Sequence, residues 1–235
     1  MKKGKSGFTL LELLVVVGIL AALVALALPF YQDYVSQSKI TAAGADLQTF
    51  KKALAMYDQL EPKLFNDTRL LPLIGKYLQD YRTTSTQENP VDPWNNDYIV
   101  NSMEGVLYSM GPNGRTDSTI TDRVPGGDDI LVTWKPPFIV SSAQAVNNTT
   151  VEIVFSRKVI DLSGAAAGYA TMAPVATGNI QKISDTIYRF KVGALTAGTE
   201  YTLTIAGVTA QDNKASFNKR PEDNVTDGGI VKFTY

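Results

Sequence analysis

At 235 residues, with 22 Lys and Arg against 23 Asp and Glu, the chain has a formal net charge of −1. It carries no basic stripe, which argues against nucleic acid as a partner, and it is long enough for two small domains. Cysteine and histidine are both absent. No disulfide can hold the fold, the commonest general base and most zinc sites are excluded, and any metal site must be built from oxygen, the ligand set of calcium.

The chain opens on Lys2, Lys3 and Lys5, then reads Gly7-Phe8-Thr9-Leu10-Leu11-Glu12 and stays apolar through Phe30, with Glu12 its one charge from Phe8 onward. A helix of that length spans roughly 30–35 Å, one hydrocarbon core. The basic flank before it, and Asp33 after it, place the N-terminus in the cytoplasm. The run is longer than the apolar region of a cleavable secretory signal and leads into an amphipathic pattern. A plain single-span anchor fits the length but leaves Glu12 unexplained, because a carboxylate in an apolar helix is costly unless paired. No cation lies within the apolar run. Its partner is expected from cleavage or from another subunit.

Gly7-Phe8-Thr9-Leu10-Leu11-Glu12 resembles the processing site of type IV pilins and type II secretion pseudopilins. The resemblance implies that a membrane prepilin peptidase removes residues 1–7 by cutting after Gly7 and methylates the new amino group of Phe8. It implies that Glu12 pairs with the N-terminus of a neighbouring subunit during assembly. The partners it implies are identical and related pilin subunits, the peptidase and an inner-membrane assembly platform, with the filament periplasmic or at the cell surface.

Beyond Phe30 the helix is expected to continue. Pro29 should kink or loosen it, and Gly18 is a second weak point. Ile40, Ala43, Leu47, Phe50, Leu54 and Tyr57 recur at spacings of three and four, an apolar stripe along one helix face. Pro62 ends the helix near Leu60 or Glu61, giving one spine from about Phe8 to Leu60. Leu70, Leu71, Leu73, Ile74, Tyr77 and Leu78 predict a short second helix, and Thr83 to Asn89 a loop. Asn89-Pro90-Val91-Asp92-Pro93-Trp94-Asn95-Asn96 predicts a turn. Strands are predicted at Tyr98-Ile99-Val100, Val106-Leu107-Tyr108-Ser109 and Ile130-Leu131-Val132-Thr133-Trp134.

Between the second and third strands lie Gly111-Pro112-Asn113-Gly114-Arg115-Thr116-Asp117, Asp122 and Gly126-Gly127-Asp128-Asp129. Glycines let carbonyls approach an ion, and Asp117, Asp128 and Asp129 converge if the loop folds back. Six to eight oxygens suit a hard cation, although solvated loops share this composition. The blocks Asp92-Pro93-Trp94, Leu107-Tyr108-Ser109-Met110-Gly111-Pro112-Asn113-Gly114 and Gly127-Asp128-Asp129-Ile130 are similar, in order and spacing, to the major pseudopilin of type II secretion systems. The resemblance covers residues 1 to about 134. It implies a structural Ca2+ held by Asp117, Asp128 and Asp129, with the carbonyls of Leu107 and Met110 as further ligands. The loop is somewhat long for that family, and Asp122 is an extra candidate ligand.

After Pro136-Pro137 the texture changes. Short strands are predicted at Phe138-Ile139-Val140, Val151–Phe155, Ile187–Val192, Tyr201–Ile205 and Ile230–Phe233, with turns at Asn147-Asn148, Ser163-Gly164, Thr177-Gly178-Asn179 and Ala197-Gly198. Such spacing predicts a β-sandwich. Leu195–Tyr201 and Gly207–Asn213 resemble segments of bacterial immunoglobulin-like domains. The expected fold is α+β: a long N-terminal helix, half transmembrane and half amphipathic, packed on a small antiparallel sheet and followed by an Ig-like sandwich. The expected boundaries are 1–7, 8–30, 31–135 and 136–235. The expected function is a non-enzymatic structural subunit of a type II secretion pseudopilus. The alternative is a subunit of a surface type IV pilus, with the distal domain as its exposed module.

Overall fold

The computed structural model describes residues 9–79, 89–162, 169–173, 177–212, 215–222 and 226–235. The leader, Gly7, Phe8, most of the Thr83–Asn89 stretch and the Ser163-Gly164 turn lie outside them.

A single helix, α1 (Leu10–Leu60), forms the spine. It starts on a reciprocal capping box. The Glu12 amide donates to Thr9 Oγ1 at 3.3 Å, and the Thr9 amide donates to Glu12 Oε2 at 3.0 Å, which satisfies two donors that helix geometry leaves orphaned. Pro29 removes one backbone donor but does not interrupt the helix. The end comes just before Pro62, where the Glu61 amide closes on the Tyr57 carbonyl at 2.9 Å. Of the predicted stripe, Ala43, Leu47, Phe50 and Leu54 are buried, joined by Ala53, while Ile40 faces outward.

Against this stripe packs a three-stranded antiparallel sheet in the order β1 (Ile99–Asn101), β2 (Val106–Ser109), β3 (Ile130–Thr133). Val100 pairs with Leu107, and Leu107 with Val132. The expected helix over residues 70–78 is corrected to a 3-10 turn, Leu71–Leu73. Pro72 has no amide to continue a helix, and Gly75 turns the chain at φ +83°. Leu70, Leu73 and Leu78 still reach the core with Phe65 and Tyr98. Phe50 meets Tyr98 edge to face at 4.9 Å. Two carboxylates tie the helix to the sheet: Tyr98 Oη donates to Asp46 Oδ2 at 2.9 Å, and Trp134 Nε1 donates to Asp58 Oδ2 at 3.1 Å.

The distal half holds two antiparallel sheets. One has the order β4 (Val140–Asn147), β5 (Thr150–Phe155), β8 (Ile187–Val192), β7 (Thr177–Lys182). The other runs β10 (Ile230–Thr234), β9 (Glu200–Ile205), β6 (Ala170–Ala173). Alternate residues point into one shared core: Val151, Ile153 and Phe155 from β5, Tyr188 and Phe190 from β8, and Tyr201, Leu203 and Ile205 from β9. The period of two read from the sequence is the physical cause. Two expectations are corrected and one strand is new. The segment predicted as a strand at 138–140 leads into one that begins at Val140. Thr177-Gly178-Asn179, expected as a turn, opens β7. The strand β6 was not foreseen.

Polar groups join the halves. Asp212 receives Arg157 and, at 3.4 Å, Lys135; these side chains are 12, 5 and 7% exposed. The Arg157 guanidinium also donates to the Met103 carbonyl at 3.4 Å. Asn218 Nδ2 donates to Glu104 and to the Thr121 carbonyl, the latter at 3.1 Å, and Lys219 pairs with Asp122 at 2.8 Å. Burial holds the Lys135 ammonium below its ordinary range and pushes the Arg123 guanidinium down to about 10.

Candidate filament and metal sites

The helix is two surfaces in series. Every residue from Leu10 to Tyr34 is exposed, including ten Leu, Val and Ile side chains before Val24, whereas from Ala43 onward one face is buried on the sheet. Among the described residues, one helix is long and apolar enough to cross a membrane, and the apolar window that qualifies it is wholly unburied. A surface of this size left bare calls for lipid or for other helices. Glu12 sits in this segment. Its carboxylate also accepts from Thr9 Oγ1 at 2.9 Å, so it is served locally. Gly7 and Phe8 fall outside the described residues.

The second site grows from the Asp92-Pro93-Trp94 turn. Asp92 is fully buried. Its Oδ1 accepts the amides of Trp94 at 3.0 Å and Asn96 at 2.8 Å, and its Oδ2 accepts Ser109 Oγ at 2.6 Å. A carboxylate can be buried when its lone pairs are filled in this way. Asn95, at φ +73°, makes the turn. Ser109 Oγ in turn accepts the Gly111 amide at 3.1 Å, and Asn96 Nδ2 donates to the Gly111 carbonyl at 2.8 Å. The turn therefore fixes where the loop leaves β2. Sequence reasoning saw a turn here and missed the buried anchor; a carboxylate ahead of Pro-Trp is the signal that was available.

The loop folds back on itself as expected. At Gly111 (φ +62°) an added Cβ would lie 2.4 Å from the Asp128 carbonyl, and at Gly127 (φ +55°) one would lie 2.3 Å from Asp117 Oδ2. Only glycine fits these approaches. Asn113 bridges two of the aspartates: its amide donates to Asp128 Oδ2 at 2.9 Å and its Nδ2 to Asp117 Oδ2 at 2.7 Å. Asp129 Oδ2 accepts the amides of Asp117 at 2.8 Å and Ser118 at 2.7 Å. Asp117, Asp128 and Asp129 are thus linked through one loop. Among the described residues, no three carboxylates stand in a finished metal-holding arrangement. Two oxygens of these three aspartates nevertheless lack any partner while buried, Asp128 Oδ1 and Asp129 Oδ1, and Asp129 is only 8% exposed. Orphaned carboxylate oxygens of this kind fit a hard cation.

The remaining predicted ligands separate. Met110 follows β2 at the loop's start. Leu107 lies mid-strand between Val100 and Val132, so its carbonyl points along the sheet toward a neighbouring strand. Asp122 turns away to Lys219.

Comparison with known proteins is consistent in its direction. The prokaryotic N-terminal methylation motif matches residues 2–28. The chain is 32% identical over 140 residues to the type II secretion system core protein G of Pseudomonas aeruginosa, covering 54% of this chain and 98% of that protein. To the protein of the same name from Klebsiella michiganensis it is 34% identical over 149 residues, covering 57% and 95%. Fimbrial protein Q of Moraxella bovis is 44% identical over 69 residues, covering 27% of this chain and 44% of that protein.

Proposed function

This chain belongs to the family of the type II secretion system core protein G, and we propose on that ground that it is a structural, non-enzymatic subunit of a type II secretion pseudopilus. The bare apolar half of α1, beginning at the matched methylation motif, carries the reading. In this account a prepilin peptidase cuts after Gly7 and methylates Phe8. The subunit waits in the inner membrane with its N-terminus in the cytoplasm. An assembly platform then extracts it into a filament, where Glu12 meets the N-terminus of its neighbour. The mass of the membrane-extracted protein tests the first step: loss of residues 1–7 plus one methyl group is expected, and an intact chain overturns it. Glu12→Ala should leave the protein in the membrane and absent from filaments; normal filaments overturn the pairing.

The loop is proposed to hold a structural Ca2+ through Asp117, Asp128 and Asp129, with the Met110 carbonyl; the Leu107 carbonyl, committed to the sheet, is left out. The orphaned oxygens of Asp128 and Asp129 support it. The ion would supply the positive charge that lets these three acidic side chains share one loop. At 100 times its dissociation constant, calcium would stabilise the fold by about 2.7 kcal/mol. Chelation should lower the melting temperature, and an unchanged melt removes the metal.

Residues 136–235 are proposed to be an Ig-like sandwich mounted on the filament subunit, a reading supported by four- and three-stranded sheets around one core. A surface type IV pilus is the second reading, favoured by the match to fimbrial protein Q. That match covers less than half of its relative, whereas protein G is matched over nearly its whole length.

A further inference from the structure

The loop that carries the aspartates is also the platform on which the distal half sits. Residues 118–126 form a closed hairpin. Thr119 and Val124 exchange both backbone hydrogen bonds, at 3.0 and 3.2 Å, the Arg123 amide closes on the Ile120 carbonyl at 3.1 Å, and the Gly126 amide donates to Ser118 Oγ at 3.2 Å. The base of this hairpin is Asp117 and Ser118, whose amides are held by Asp129. Its tip is held by the other domain and the linker. The Thr121 carbonyl accepts from Asn218 Nδ2, Asp122 pairs with Lys219, and the Arg123 guanidinium donates to the Lys135 carbonyl. Arg123 adopts φ +62°, a conformation that a side-chain-bearing residue keeps only when its surroundings enforce it. Three or four residues separate the metal end of the hairpin from its docked end, and the backbone between them is hydrogen-bonded to itself. A displacement at one end must reach the other.

We infer that Asn218 and Lys219 are positioning residues for the aspartate loop, so that metal occupancy and docking of the distal domain are thermodynamically linked through the 118–126 hairpin. This rests on the calcium reading above. It also accounts for the extra length of the loop and for Asp122, whose carboxylate serves the junction. Linkage is reciprocal: the docked domain holds the aspartates in place for the ion, and the ion stiffens the platform for the domain.

The test is calcium titration by calorimetry on the full chain in detergent micelles, with CaCl2 as the probe. Lys219→Glu sets two carboxylates against each other and should weaken calcium binding about fivefold or more, the lower end of typical coupling. The charge swap, Asp122→Lys with Lys219→Glu, should restore most of the affinity. Lys219→Arg should leave it near the parent value. In the parent chain, chelation should speed amide exchange at residues 215–220 as well as in the loop. Unchanged calcium affinity in Lys219→Glu overturns the linkage while leaving the metal in place, and so does failure of the swap to rescue a weakened variant. A parent chain that binds no calcium overturns both.

Discussion

The distal half of the chain holds itself together with side chains drawn from two sheets, whereas the proximal half borrows one face of a helix and fastens three short strands to it with carboxylates. Among the described residues, twenty-two buried ones make the distal core and eleven the proximal one. The smaller core is supplemented by Asp46, Asp58, Asp92 and Asp129, each accepting hydrogen bonds that cross between segments. Each half is vulnerable in its own way: the distal half to cavities, the proximal half to the loss of single acceptors.

The largest expected effect tests the first part. Phe190→Ala in β8 empties a fully buried site and should destabilise the distal half by about 3–5 kcal/mol, read by amide exchange in β5 and β8. Both tryptophans, Trp94 and Trp134, lie in the proximal half, so their fluorescence transition should fall later on the denaturant axis. A single shared transition would break the comparison. Next, Asp92→Ala leaves the amides of Trp94 and Asn96 without their acceptor. A loss of about 3 kcal/mol should appear in the tryptophan transition and spare the distal strands. Trp134→Phe removes one donor to Asp58 while keeping most of the ring, and should cost about 1 kcal/mol.

The smallest effect concerns the junction. Burial raises the carboxyl of Glu104 above its ordinary 4.5, against the hydrogen bond from Asn218 and the attraction of Arg157 and Arg123. The folded state therefore holds this proton more tightly than the unfolded one. The stability it contributes is full below pH 4.5 and declines as pH rises through the higher folded value. Glu104→Gln should flatten that dependence between pH 4 and 7 in thermal melts; an unaltered slope would show that Glu104 is not its source.

What the sequence revealed follows from period and chemistry. The spine of α1 was legible because apolar residues recur at three and four, and β5, β8 and β9 because they alternate. β6 and β7 were hidden: apart from Met172, Ala170-Thr171-Met172-Ala173 and Thr177-Gly178-Asn179 are small or polar, and they form strands because β9 and β8 pair with them. In β4, only Val140 is buried, so no apolar pattern marks it. At the loop, glycines and aspartates foretold a fold-back, and the aspartates do share it. That Asp122 answers to Lys219 depends on a residue nearly a hundred positions away, which no local spacing reveals.

The capping box at Thr9 and Glu12 bears on how one subunit joins the next. Glu12 is already engaged by its own chain through Oε2, which accepts from the Thr9 amide and hydroxyl; under the proposed pairing an incoming ammonium would share that oxygen or take the carboxylate's second one. That local hold is mild, since a cap is worth about 1 kcal/mol. Under that proposal, joining a filament adds a partner to a carboxylate already held by its own chain, rather than rescuing a stranded charge.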